Sequence, residues 1–109
     1  FPAEDGIVPG CGALLALLRA GAETEPFVIG KPGPTMFHAA VAMLGADPQR
    51  TLTIGDRLDT DIAGSAAAGM ASALVLSGVT TREALEGSAV QPDAVFEDLP
   101  ALVAAWRQA

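Results

Sequence analysis

Short apolar runs alternate with longer helix-compatible stretches along this chain, and that alternation sets its expected architecture. Phe27-Val28-Ile29, residues 51–54, Ser72-Ala73-Leu74-Val75-Leu76 and Asp93-Ala94-Val95-Phe96 read as strands. Residues 12–20, 35–44 and 61–68 read as helices, followed by a short one ending near Leu85 and a last one carrying Leu102, Val103 and Trp106. Strands that are continuously apolar, not alternating, belong to a parallel sheet covered on both faces. The punctuation agrees: Pro34 suits the first turn of its helix, and Gly21, Gly45 and Gly69 suit helix ends. Thr80-Thr81-Arg82-Glu83 has the Thr-x-x-Glu spacing of a capping box, and Asp98 is placed to cap the last helix. Residues 1–10, acidic and containing Pro and Gly, read as a loop. The expectation is an α/β fold with a parallel sheet and helices on both faces.

Within this pattern the run through residues 51–54 leads into Gly55-Asp56, a short polar loop and a helix start near Thr60 or Asp61. That order puts Asp56 at the carboxyl end of a parallel strand, where ligand sites form. Asp56 and Asp61, one ending a strand and one opening a helix, can face a single pocket. Carboxylates are hard ligands, and with no Cys or His beside them they suit Mg²⁺ better than zinc. Asp56 is therefore the expected magnesium ligand. The plainer alternative makes Asp56 a turn residue and Asp61 a helix cap, since Asp is favoured at both. Lys31 could likewise be a solvated turn lysine. His38 reads as a surface or packing residue, and Arg57 and Asp59 as partners of each other. Cys11, with nothing basic around it, reads as a small filler. Gly64, Gly69 and the alanines between them would allow close packing of helix on sheet.

Size and charge narrow the function. A chain of 109 residues makes one domain at most, small for an enzyme with both a catalytic and a specificity unit. A formal net charge of −7 with scattered basic residues argues against a nucleic-acid partner. The single cysteine cannot form an internal disulfide, and no run resembles a signal peptide or a membrane span, so a cytoplasmic location is expected. The chain opens on Phe1-Pro2-Ala3-Glu4-Asp5-Gly6 without an initiator Met and reads as the middle of a longer protein.

Three motifs in order carry a family resemblance. They are Gly30-Lys31-Pro32-x-Pro34-x-Met36-Phe37, then Gly55-Asp56-Arg57-Leu58-x-Thr60-Asp61-Ile62, then Leu76-Ser77-Gly78-Val79-Thr80-Thr81. Over roughly residues 27–98 the chain resembles the carboxyl-terminal half of a haloacid dehalogenase (HAD) superfamily phosphatase. The branch resembled has a large inserted cap and includes p-nitrophenyl, phosphoglycolate and glycerol 3-phosphate phosphatases. Residues 1–26, with Pro9-Gly10-Cys11-Gly12-Ala13-Leu14, resemble the end of that cap, and 27–109 the second half of a Rossmann-like core. The resemblance implies a magnesium-dependent hydrolase of small phosphorylated metabolites that works through a phosphoaspartyl intermediate. It implies that Lys31 binds phosphate and Asp56 ligates Mg²⁺. Asp61 would orient Lys31 or a metal-bound water, not bind the ion itself. The implied partners are the amino-terminal core half and the cap of the same protein, with a homodimer through the cap allowed and no membrane partner.

The departures from the family pattern matter as much. The family's nucleophile and general acid lie in an Asp-x-Asp element after the first core strand. Asp59-Thr60-Asp61 has that spacing but belongs to the later motif and follows no long apolar strand. No Ser/Thr phosphate-binding motif precedes the cap remnant. The expectation is a chain without its nucleophile, inactive alone. A HAD-like module that has lost catalysis and serves a partner-binding or regulatory role is the alternative. A response-regulator-like or small nucleotide-binding domain shares the doubly wound sheet, but such domains place their acidic pocket or Gly-rich loop after the first strand, and no Gly-rich phosphate loop exists here.

Overall fold

The computed structural model describes residues 2–108, and from Thr35 onward helix and strand alternate as the apolar pattern dictates. The elements are β1 (Pro2–Ala3), β2 (Gly6–Ile7), α1 (Cys11–Ala22), α2 (Thr35–Leu44), β3 (Leu52–Gly55), α3 (Ala63–Ala67), β4 (Ala71–Val75), α4 (Arg82–Glu86), β5 (Ala94–Phe96) and α5 (Leu99–Gln108). Strands β3, β4 and β5 make a parallel three-stranded sheet in that order. Leu52 stands opposite Ala71, and Val75 opposite Phe96. This is the expected α/β, Rossmann-like architecture.

The central strand explains the continuous apolar run in the sequence. Residues 72–75 of β4 are all buried, Ala73 and Leu74 completely, so both faces of that strand are covered. Neighbouring strand residues point to opposite faces, which lets β3 identify the layers. The Thr53 hydroxyl reaches the sulfur of Met70, which clusters with Val41, Ala68 and Phe37 on the α2–α3 side. Leu52 lines a hollow with Leu102, Ala105 and Trp106 on the α5 side. Asp93 anchors the start of the sheet by accepting hydrogen bonds from the backbone N–H of Ser72 at 2.7 Å and from its hydroxyl at 3.2 Å.

Several expectations change. Residues 27–29 form no strand; a strand exists only where a neighbour takes up its N–H and C=O groups, and none lies beside this run among the described residues. Phe27 is 80% exposed in consequence. The predicted amino-terminal loop instead contains a small antiparallel hairpin, Pro2 opposite Ile7, that turns at Glu4 and Asp5 and resumes at Gly6 with φ 132°. Helix α1 runs through Gly21 to Ala22, and Glu23 takes the left-handed capping conformation. Cys11 is exposed at its start and fills nothing. The helix expected from Asp61 begins earlier, as a π-helical turn over Leu58–Ile62. Gly64 makes room for Phe37, not for the sheet, because a Cβ there would lie 2.5 Å from the Phe37 ring. The cap of α4 is Thr81, whose hydroxyl accepts the Ala84 N–H, leaving Thr80 free for another task. Asp98 caps α5 as expected, accepting from the Ala101 N–H at 2.8 Å.

The radius of gyration is 16.2 Å, against roughly 13 Å for a compact domain of this length. Helix α1, with no buried residue, accounts for part of that excess. Stability therefore rests on the sheet and the helices against it. Replacing fully buried Leu74 with Ala should lower the unfolding free energy by about 2–5 kcal/mol, read from the shift of a denaturant midpoint. The same change at exposed Leu17 of α1 should leave the midpoint nearly in place.

Candidate active site

Because the sheet is parallel, the loops after β3 and β4 leave from the same edge. Asp56 opens the first, and residues 76–80 form the second. The loop that carries Lys31 reaches the same corner just before α2. The structure thus brings together Lys31, Asp56 and Asp61.

Asp61 is the centre of the arrangement. It lies in the π-helical turn, where its own N–H and that of Ile62 both donate to the Arg57 carbonyl, at 3.0 and 3.1 Å. Such turns insert an extra residue into a helix start and are frequent at functional sites. This turn brings the Asp61 carboxylate back under the end of β3. Oδ1 accepts from the Lys31 Nζ at 2.5 Å. Oδ2 accepts from the backbone N–H groups of Asp56 and Arg57, both at 3.1 Å. The Asp61 side chain is only 9% exposed, whereas that of Lys31 is 44% exposed. The carboxylate accepts three internal hydrogen bonds, while the ammonium keeps a face toward solvent.

Asp56 is held differently. Its Oδ2 accepts from the Val79 N–H at 2.8 Å, and its backbone carbonyl accepts from the Thr80 N–H at 3.1 Å. No protein donor reaches its Oδ1 among the described residues. Asp56, partly exposed, therefore keeps one carboxylate oxygen without a protein donor, and its backbone N–H shares the Asp61 carboxylate with the Lys31 ammonium.

The other residues singled out in the sequence take structural places. His38 Nε2 lies 3.3 Å from the Ala68 carbonyl and ties α2 to the end of α3. The Arg57 guanidinium forms a double hydrogen bond with Asp59, which holds the Asp59 carboxyl below its ordinary range. That pair is exposed and contributes little to stability. A surface hollow of about 480 Å³ along α1, lined by Ala16, Arg19 and Glu23, touches none of the site residues. Sequence reasoning missed the 77–80 loop as a support of Asp56. Its signal was present in Gly78 and in the polar Thr80, which is buried to 7% exposure.

Most of the chain is similar to known proteins. Residues 28–102 match the HAD-hydrolase-like family model. The chain is 35% identical over 105 residues to the dihydroxyacetone phosphatase of Corynebacterium glutamicum, covering 96% of itself and 38% of that protein. Among solved structures, p-nitrophenyl phosphatase from Archaeoglobus fulgidus superposes with a TM-score of 0.87 at 40% identity, over 96% of this chain and 42% of that one. A glycerol phosphate phosphatase from Mycobacterium tuberculosis in complex with magnesium superposes with a TM-score of 0.81 at 38% identity, over 94% of this chain and 31% of that one. The chain thus spans about two-fifths or less of the length of these relatives.

Asp61 should be sensitive to anything that moves it. A Cβ on Gly55 would lie 2.3 Å from the Asp61 Cβ, so Gly55→Ala must displace the carboxylate. Overpacking of this kind costs about 1–3 kcal/mol. The substitution should also speed hydrogen exchange at the Asp56 and Arg57 amides; unchanged exchange there would contradict the role given to Asp61.

Proposed function

The chain belongs to the haloacid dehalogenase-like hydrolases, and on that premise we propose that it is the phosphate- and metal-binding half of a magnesium-dependent phosphatase acting on small phosphorylated metabolites. The observation that carries the proposal is the Asp61 carboxylate, which fixes the Lys31 ammonium and the backbone of Asp56 at one corner of the sheet. A scaffold has no need to bring a lysine and two aspartates together in this way.

Phosphoryl transfer places negative charge on the transferring oxygens, so catalysis here is largely positioning and charge stabilisation. Lys31, restrained by Asp61 and open on one face, would bind and orient the phosphoryl group. Helix α2 begins just beyond it, and no side chain caps its first turn. Its free N–H groups would add donors for an anion. Asp61 would act through Lys31 and through the peptide of Asp56, with both of its oxygens already engaged.

The donor chemistry fits Mg²⁺ at Asp56, whose free Oδ1 is a hard ligand. Among the described residues no group of three His, Cys, Asp or Glu side chains gathers for a metal. Magnesium commonly takes only one or two protein carboxylates and completes its shell with water and substrate phosphate. Bound there, the ion would offset the repulsion between an anionic nucleophile and an anionic ester.

The nucleophile, a phosphoaspartyl-forming aspartate in this reading, lies with the general acid and the rest of the cap in parts of the protein outside this chain. Residues 1–26 are the end of that cap, and 27–109 the second half of the core. The free edge of β3 and the exposed apolar run at residues 27–29 support a core completed by further strands. Leu52 and Ile54 on that edge strand are 37% and 41% exposed.

The test is hydrolysis of p-nitrophenyl phosphate with and without Mg²⁺, comparing this chain with the full-length protein. Activity should appear only in the longer protein and require magnesium. There, Asp56→Asn should weaken magnesium dependence and sharply reduce turnover. Lys31→Ala should raise the barrier by about 2–4 kcal/mol, as loss of a preorganised donor does, whereas His38→Ala should change little. Loss of activity in His38→Ala but not in Lys31→Ala would overturn these roles. An inactive but folded full-length protein would favour a non-catalytic, partner-binding module.

A further inference from the structure

Within the Leu76-Ser77-Gly78-Val79-Thr80-Thr81 motif, Val79 and Thr80 already support Asp56, and the contacts of Gly78 assign it a role as well. The loop grips Asp56 at two points: the Val79 N–H donates to its Oδ2 and the Thr80 N–H to its carbonyl. Between those points, the Asp56 side chain lies directly over Gly78. A Cβ on Gly78 would stand 2.2 Å from Asp56 Oδ2, 2.4 Å from its Cβ and 2.5 Å from its Cγ. These distances are impossible for real atoms, so either Asp56 or the loop would have to move. Packing does not explain the glycine, because Gly78 is exposed and Asp56 is the nearest neighbour its Cβ would meet. Nor does backbone conformation, because Gly78 is not among the residues with positive φ.

Resting on the reading of Asp56 as the magnesium ligand, we infer that Gly78 is a positioning residue for that ligand. The space left by its absent side chain seats the carboxylate against the loop. The Val79 N–H then occupies Oδ2 and leaves Oδ1 as the oxygen free for a cation. Neighbours that orient a ligating carboxylate commonly matter to metal affinity by about 10–100-fold. By contrast, a Cβ on Gly87, in the following helix–loop junction, would meet nothing nearer than 3.7 Å.

The experiment measures Mn²⁺ binding to the full-length protein from the electron paramagnetic resonance signal of the free ion, for wild type, Asp56→Asn, Gly78→Ala and Gly87→Ala. Gly78→Ala should weaken Mn²⁺ binding by about 10–100-fold and raise the magnesium concentration needed for activity more than the KM for ester. Gly87→Ala should bind like wild type. If Asp56→Asn weakens binding and Gly78→Ala does not, the positioning role is wrong while the ligand assignment stands. If Asp56→Asn leaves binding unchanged, the ligand assignment itself fails and the positioning role with it. Should Gly78→Ala fail to fold, the double variant Gly78→Ala/Asp56→Gly decides. Recovery of cooperative unfolding would support the contact as the cause, and continued failure would overturn it.

Discussion

The Asp61 carboxylate joins the Lys31 ammonium to the backbone at the end of β3, and the rest of the site depends on that junction. A carboxylate this deeply buried is costly unless every oxygen is paired, and here each one is. The pairing links a loop before α2 to a loop after β3, segments about thirty residues apart in sequence. It also engages both oxygens of Asp61 while keeping one side of Lys31 open. Two nearby aspartates thereby acquire different roles: Asp61 is spent on structure, and Asp56 keeps an oxygen free.

The parallel sheet gives this junction its location. Adjacent parallel strands release their loops at the same end, so Asp56 and the Gly78 loop meet without any special path of the chain. Glycine appears at both contacts, Gly55 beneath Asp61 and Gly78 beneath Asp56, because each carboxylate lies where a Cβ would otherwise be. The two glycines thus seat the two carboxylates of one corner, Gly55 the braced one and Gly78 the one with an oxygen left open.

Electrostatics sharpen the importance of Lys31. With a formal net charge of −7, the chain as a whole offers no general attraction for anions. Arg19, Arg57 and Arg82 are each engaged by a nearby carboxylate, from Glu25, Asp59 and Glu97 respectively. Lys31 differs from these three in that its carboxylate partner is buried while the ammonium itself keeps an exposed face.

Much of this was legible in the linear pattern. The continuous apolar run at 72–75 fixed the buried central strand, Asp98 marked the start of α5, and the motifs around Lys31, Asp56 and Asp61 identified the family. These signals are local: they depend on burial of neighbouring side chains, on capping, or on residue types at set spacing. The run at 27–29 misled for the same reason, since apolar composition favours a strand but only a neighbouring strand can satisfy its backbone. Thr80 looked like a cap because the Thr-x-x-Glu spacing was right, yet the tertiary structure assigned capping to Thr81 and turned the Thr80 N–H to Asp56. Which aspartate would be enclosed and which would keep a free oxygen had no linear signature. That was decided by donors arriving from Lys31 and Val79, distant in sequence and brought close only when the sheet and its loops are assembled.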